Sequence, residues 1–133
     1  MTNMTNPDFS GHLSGSEAVK QWFGIWPDFH DEEVISLSLC RRGESVLRVY
    51  PYHPENPAMV EFLLTEITDL ELSDFSIQNV LGGLRIEQRT NGNGEIVIRL
   101  TLFPLFGLGG SIEAKVVQVK LLPGRSSDSG SLW

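Results

Sequence analysis

Apolar residues recur at every second position through most of the chain, and the runs are broken by Gly, Pro, Asn and Asp. That is the pattern of half-buried β-strands joined by tight turns. From Glu33 to Arg41, Ile35, Leu37 and Leu39 fall on one face and Ser36, Ser38 and Cys40 on the other, as in an antiparallel strand with one wet side. Arg42-Gly43-Glu44 reads as the turn. Ser45 to Tyr52 is the return strand, with Leu47 and Val49 inward and Arg48, Tyr50 and Tyr52 on the other side. A loop over His53-Pro54-Glu55-Asn56-Pro57 follows. Ala58 to Leu72 then carries Val60, Phe62 and Leu64 in one phase, with Leu70 and Leu72 beyond the polar Glu66. This predicts a bend or bulge between Thr65 and Thr68, in one bent strand or between two.

Asp74 to Gly83 is read as a loop or one helical turn, capped by Ser76 and ended by Gly82-Gly83. Leu84 to Gln88 and Glu95 to Phe103 flank Thr90-Asn91-Gly92-Asn93-Gly94, whose Asn-Gly steps supply the positive φ that a hairpin needs. Leu105 to Gly110 is a Gly-rich connector. Ser111 to Leu121 is the last strand, with Ile112, Ala114 and Val116 in one phase and Val117, Val119 and Leu121 in the other, a phase change that predicts a bulge.

One segment follows a different period. Ala18, Val19, Trp22, Phe23 and Ile25 recur near i, i+3, i+4, which predicts a short helix at about 16–24, ended by Gly24 and Pro27. Ser14 and Ser16 are candidate N-caps, and Ser14 with Glu17 fits a capping box. Trp22, Phe23, Trp26 and Phe29 are expected to be buried where this helix meets the sheet. The fold class is therefore α+β: one N-terminal helix packed on a mainly antiparallel, curved β-sheet of six to seven strands. Residues 1–14 and 123–133 are polar and rich in Ser, Gly or Asn, so both are expected to be mobile around a single domain at 15–122.

The chain has 133 residues, and 10 Lys+Arg against 17 Asp+Glu give a formal charge of −7. Its length suits one domain. A net-acidic chain without a basic block is poorly suited to a phosphate backbone, whose binding depends on Lys and Arg displacing counterions, so no nucleic-acid partner is expected. A basic partner is favoured. The lone Cys40 cannot form an internal disulfide, the N-terminus lacks a signal-peptide pattern, and no apolar run approaches a membrane span. A cytoplasmic protein with no membrane partner is the expectation.

Candidate chemistry is sparse. Trp26-Pro27-Asp28-Phe29-His30-Asp31-Glu32-Glu33 holds the one close grouping of imidazole and carboxylates. His30 and Asp31, with Glu32, Glu33 or His53, could hold a divalent metal or pair as base and orienter. The structural alternative has Trp26 and Phe29 anchoring the turn while His30 and Asp31 hydrogen-bond loop backbone as a clasp. One Cys and three scattered His, His12, His30 and His53, do not make a zinc spacing. Cys40 has no neighbouring His, and Gly107, Gly109 and Gly110 lack the Lys and helix of a phosphate cradle, reading instead as a flexible turn. No cofactor, resident metal or catalytic residue is assigned, and the chain is expected not to be an enzyme. Glu61, Glu66, Asp69, Glu71 and Asp74 fall within 14 positions. They form either a solvated face that resists edge aggregation or a docking surface for a basic protein.

Phe23-Gly24-Ile25-Trp26-Pro27-Asp28-Phe29-His30-Asp31-Glu32-Glu33-Val34 resembles the W-P-x-F-H-D-x-E-V signature of the immunity protein 50 family of bacterial polymorphic-toxin systems. Leu70-Glu71-Leu72-Ser73-Asp74-Phe75-Ser76-Ile77-Gln78-Asn79-Val80-Leu81 is similar to that family's middle motif, an acidic strand and a Phe followed by Gln-Asn-Val-Leu. The Gly-rich turn into Ser111 to Val119 is similar too, and the likeness runs from about Ser16 to Leu121. It implies a small cytoplasmic antidote that binds and silences a protein toxin, without catalytic residues. Trp26, Phe29, His30, Asp31, Gln78 and Asn79 are the motif positions, as structure or as interface. The competing functions are a small metal-dependent enzyme centred on His30 and Asp31, and a homo-oligomeric module joined through strand edges.

Overall fold

Among the described residues, six strands pair antiparallel and close on themselves in the order β1-β2-β3-β6-β5-β4. The computed structural model describes residues 13–51 and 56–124. The elements are α1 (Ser16–Phe23), β1 (Glu32–Ser38), β2 (Glu44–Tyr50), β3 (Ala58–Ser73), β4 (Val80–Thr90), β5 (Ile96–Phe106) and β6 (Gly109–Pro123). The fold is thus mainly antiparallel sheet with one short N-terminal helix, broadly α+β.

β3 and β6 are long enough to serve two neighbourhoods. Their pairing runs from Ala58↔Pro123 to Ser73↔Gly109. The first half of β3 also pairs with β2, from Val49↔Val60 to Glu44↔Thr65. The first half of β6 pairs with β5, from Ile98↔Ala114 to Leu102↔Gly110. The corner between the halves is the bend expected at Thr65 to Thr68. Glu66 takes a positive φ of 58° there, and the register shifts between Ile67 and Asp69. On β6, Lys115 and Val116 are both exposed between buried Ala114 and Val117, which is the phase change read from the sequence.

Leu47, Val49, Val60, Phe62, Leu64, Leu100 and Ile112 meet in the interior, all fully buried. α1 adds Val19 to this core, and Ser14 forms a parallel bridge to Gln118 of β6. The helix is held against the β2–β3 connection by a reciprocal pair. The indole Nε1 of Trp22 donates to the Asn56 carbonyl at 2.8 Å, and Asn56 Nδ2 donates to the Trp22 carbonyl at 2.6 Å.

Several expectations are corrected. The Ser14–Glu17 capping box does not form: Gly15 is the N-cap residue, at φ 92°, and no side-chain cap bond is made. A Cβ on Gly15 would stand 1.9 Å from the Val119 carbonyl oxygen, so close approach to β6 selects glycine over a capping side chain. In β1 the register shifts between Val34 and Ser36, so Val34 and Leu37 face Val49 and Leu47, and Leu39 is exposed beyond the strand end. Gly82 and Gly83 lie inside β4 rather than ending a turn. Leu13 is buried and Pro123 pairs with Ala58, so the fold includes residues assigned to mobile ends. Residues 1–12 and 125–133, together with Tyr52, His53, Pro54, Glu55 and His12, lie outside the described residues.

The hairpin expected at 90–94 forms, with the second of its two Asn-Gly steps supplying the positive φ. Asn91 Oδ1 accepts from the backbone amides of Asn93 and Glu95 at 2.9 and 3.0 Å, and Gly94 takes φ 79°.

Candidate functional site

The two sequence motifs meet where β1 closes on β4. Glu32 pairs with Leu81 and Glu33 with Val80. The Asp31 amide donates to the Leu81 carbonyl and the Val34 amide to the Asn79 carbonyl, each at 2.8 Å. The first motif therefore zips onto the second. Phe29 is its anchor: fully buried, with ring centroids 5.7 Å from Trp26 and 5.8 Å from Phe62 in edge-to-face geometry. Phe29 and Asp31 adopt φ of 57° and 63°, left-handed conformations that a bulky side chain resists. Pairing to β4 and burial of the Phe29 ring hold the turn in that shape. Of the four aromatics expected inside, Phe29 alone is fully enclosed, while Trp22, Phe23 and Trp26 are half-buried.

Among the described residues, the His30 and Asp31 side chains do not form the expected clasp on loop backbone. They are exposed and face each other, His30 Nδ1 lying 3.4 Å from Asp31 Oδ2. Asp28 does the work instead, its carboxylate accepting from the His30 amide at 2.9 Å. A groove of about 430 Å³ runs beside this turn, lined by Phe23, Ile25, Trp26, Pro27, Asp28, His30, Glu32 and Pro51. Among the described residues no group of three His, Cys, Asp or Glu side chains is placed to hold a metal.

The second motif makes a stitched loop. Asn79 is buried, and its Oδ1 accepts from the amides of Ser76 and Leu108 at 3.0 and 2.9 Å while its Nδ2 donates to the Ser76 carbonyl at 2.8 Å. One side chain thus ties the β3–β4 loop to the β5–β6 turn. Gly107 makes the contact possible, since a Cβ there would lie 2.4 Å from Asn79 Oδ1. Gly110, at φ 126°, packs as closely on the Glu71 carbonyl. The glycine cluster is accordingly a packed seam and not the flexible turn expected. Gln78, the other motif position, is exposed.

The five carboxylates expected on one docking face divide sharply. Glu61 is 6% exposed and accepts from Arg48 Nε at 2.6 Å on the outside of the β2–β3 pair. Glu66 lies 3.8 Å from Lys115 Nζ, and Asp69 lies 3.9 Å from Arg99 Nη2. Arg99 is drawn more closely to buried Glu113, at 3.0 Å, a partner that sequence alone does not single out because Glu113 sits in an apolar run. Glu71 and Asp74 remain, exposed at the far end of β3, and neither forms an ion pair among the described residues.

Sequence reading missed the apolar character of this same end. Phe75 and Ile77 on the β3–β4 loop and Phe103, Leu105 and Phe106 on β5 are all exposed, Ile77 completely. Their signal was the short aromatic run itself, which alternation assigns to strand interiors. Cys40 is exposed and its thiol donates to the Arg42 carbonyl at 3.1 Å. Among the described residues no helix is long and apolar enough to cross a membrane. No family model, curated protein or solved structure matches this chain.

Proposed function

We propose that the chain is a non-enzymatic immunity protein that binds and silences a basic toxin effector domain in the cytoplasm. The observation that carries this reading is the pair Glu71 and Asp74, exposed carboxylates without an ion-pair partner among the described residues, in a chain of net charge −7. Charge displayed without an internal partner is free to attract an opposite charge from outside, and complementary potential both accelerates encounter and rejects wrong partners. The resemblance of the 26–34 and 70–81 segments to the immunity protein 50 family supplies the biological setting. Those two segments pack on each other, each closing the barrel against the other.

The test is co-expression with the effector domain encoded beside the gene. Survival of cells that the effector alone kills, together with a complex that persists through size-exclusion chromatography, is the expected result. Failure of both rescue and complex formation refutes the reading.

A further inference from the structure

We infer that the exposed apolar end of the barrel, formed by Phe75, Ile77 and Phe106 with Phe103 and Leu105 beside them, is the contact core for an apolar projection of a basic protein partner. The inference rests on the immunity reading and adds to it the place and chemistry of the contact. The segments that carry these side chains are neighbours in the fold. Val80 pairs with Phe106, Asn79 bonds both the loop that carries Phe75 and Ile77 and the turn that follows Phe106, and Gly107 lies against Gln78 and Asn79. Phe103 and Leu105 lie over Gly83 and Gly82, where the missing side chains leave room for them.

Three features mark this as more than scattered surface hydrophobes. Five large apolar side chains exposed on two adjoining segments are unusual for a water-facing end, and such groupings mark interaction surfaces. The segments are held in one conformation by Asn79, so little ordering opposes binding. The rim beside Phe75 is acidic: Asp74 directly precedes it, and Glu71, near the end of β3, helps line a shallow hollow of about 410 Å³ with Leu72, Ser73 and Gly110, while Arg85 of β4 lies over the Phe103 ring, 5.7 Å from its centroid. An apolar centre within a charged rim is the anatomy of a protein interface.

The charge of the rim selects the occupant. A second copy, docking this face on itself, would bring Glu71 and Asp74 toward their own counterparts within a pair of chains each carrying −7. An anionic lipid surface meets the same repulsion. A partner with Lys or Arg around an apolar knob satisfies both parts, its cations on Glu71 and Asp74 and its knob among Phe75, Ile77 and Phe106.

The experiment measures binding of the neighbouring effector domain, in a catalytically inactive form, to the full chain by stopped-flow and surface-based kinetics. Ile77→Ser with Phe75→Ser is expected to weaken binding thirtyfold or more, on the order seen for interface hot spots, mainly through faster dissociation. Glu71→Gln with Asp74→Asn is expected instead to slow association. Unchanged urea midpoints accompany both pairs, since the replaced side chains are exposed. If the effector binds the parent chain and the Ile77/Phe75 pair equally well, the apolar end is not the contact and the immunity reading survives. No binding to the parent chain sinks both. Sedimentation that shows a dimer dissolved by Ile77→Ser assigns the patch to a second copy and overturns the inference.

Discussion

Arg48 Nε stands 2.6 Å from Glu61 Oε2 across the β2–β3 ladder, and that single contact removes Glu61 from the acidic face on which its sequence position places it. The two residues are direct cross-strand neighbours, and Lys120 of β6 is paired with Glu61 on its other side. A carboxylate so enclosed is a structural group. Its loss leaves a half-buried guanidinium without its partner.

Glu61→Ala is therefore expected to destabilise the fold by about 1–3 kcal/mol, below the loss for a fully buried pair because Arg48 can turn toward water. Urea denaturation measures it. A change under about 0.5 kcal/mol would show that the pair contributes nothing net. Glu61→Gln should leave the association rate with an effector unchanged, in contrast to substitutions at Glu71 and Asp74.

Asn79 carries a heavier structural role than its polarity suggests. Asn79→Ala removes three hydrogen bonds and leaves the Leu108 amide without its acceptor in a buried setting, with an expected loss of about 2–4 kcal/mol. Asn79→Asp keeps both acceptors but sets a buried carboxylate oxygen against the Ser76 carbonyl, so at neutral pH its loss should be at least as large. A loss for Asn79→Ala under about 1 kcal/mol in urea denaturation would show that the stitch contributes little.

Much of the barrel is legible in the alternation of apolar residues, because inward positions on 45–50 and 58–64 must alternate to fill one interior. β1 is legible only in part. Val34 and Ile35 are both apolar, so either phase looks acceptable, and the bulge that chooses between them is set by pairing to β2. Gly82 and Gly83 read as a terminator because the Phe103 and Leu105 that cover them lie some twenty residues away. The site follows the same division. Exposure of Glu71 follows from its strand phase and that of Asp74 from its place in the loop just after β3, whereas sequestration of Glu61 depends on which residue the register sets opposite. Exposure of Ile77 and Phe106 depends on strand pairing too, since an isolated apolar residue is read as core by default.

Steering by the remaining acids has a kinetic signature. Replacing Glu71 and Asp74 by Gln and Asn should lower the association rate with a basic effector by about tenfold at low salt, and the difference should shrink as ionic strength rises past physiological values. Stopped-flow traces across a salt series decide it. A rate indifferent to both the substitutions and salt would exclude this end as the electrostatic entry.

The Lys115 ammonium sits 2.8 Å from Glu95, linking the hairpin end to β6. The hydrogen bond from Lys115, then that from Asn91, hold the Glu95 carboxyl below its usual range, and the hydrogen bond to Glu95 raises Lys115 above its own. A depressed carboxyl stabilises the fold above its unfolded value and loses that contribution as pH falls through the folded one. A raised ammonium contributes below its unfolded value and loses it as pH rises through the folded one. The linkage is therefore complete near neutrality and fades at both extremes. NMR titration should show the Glu95 carboxyl moving back up in Lys115→Met, and no movement would break the assignment.

Phe29 offers the sharpest test of how the turn is held. Its ring is enclosed by Trp26 and Phe62, so Phe29→Ala is expected to cost about 3–5 kcal/mol through lost burial and a cavity. Its backbone, however, lies at φ 57°, where any Cβ crowds the following carbonyl and glycine does not. In ordinary backbone, replacing Ala by Gly lowers stability by about 0.5–1 kcal/mol. Here the order should invert. Phe29→Gly loses the same ring but relieves the left-handed strain, worth roughly 1–2 kcal/mol, so it should unfold at a higher urea concentration than Phe29→Ala. A midpoint for the Gly variant clearly below that of the Ala variant would mean that the turn is not held in the left-handed region, and that burial alone fixes the first motif against β4.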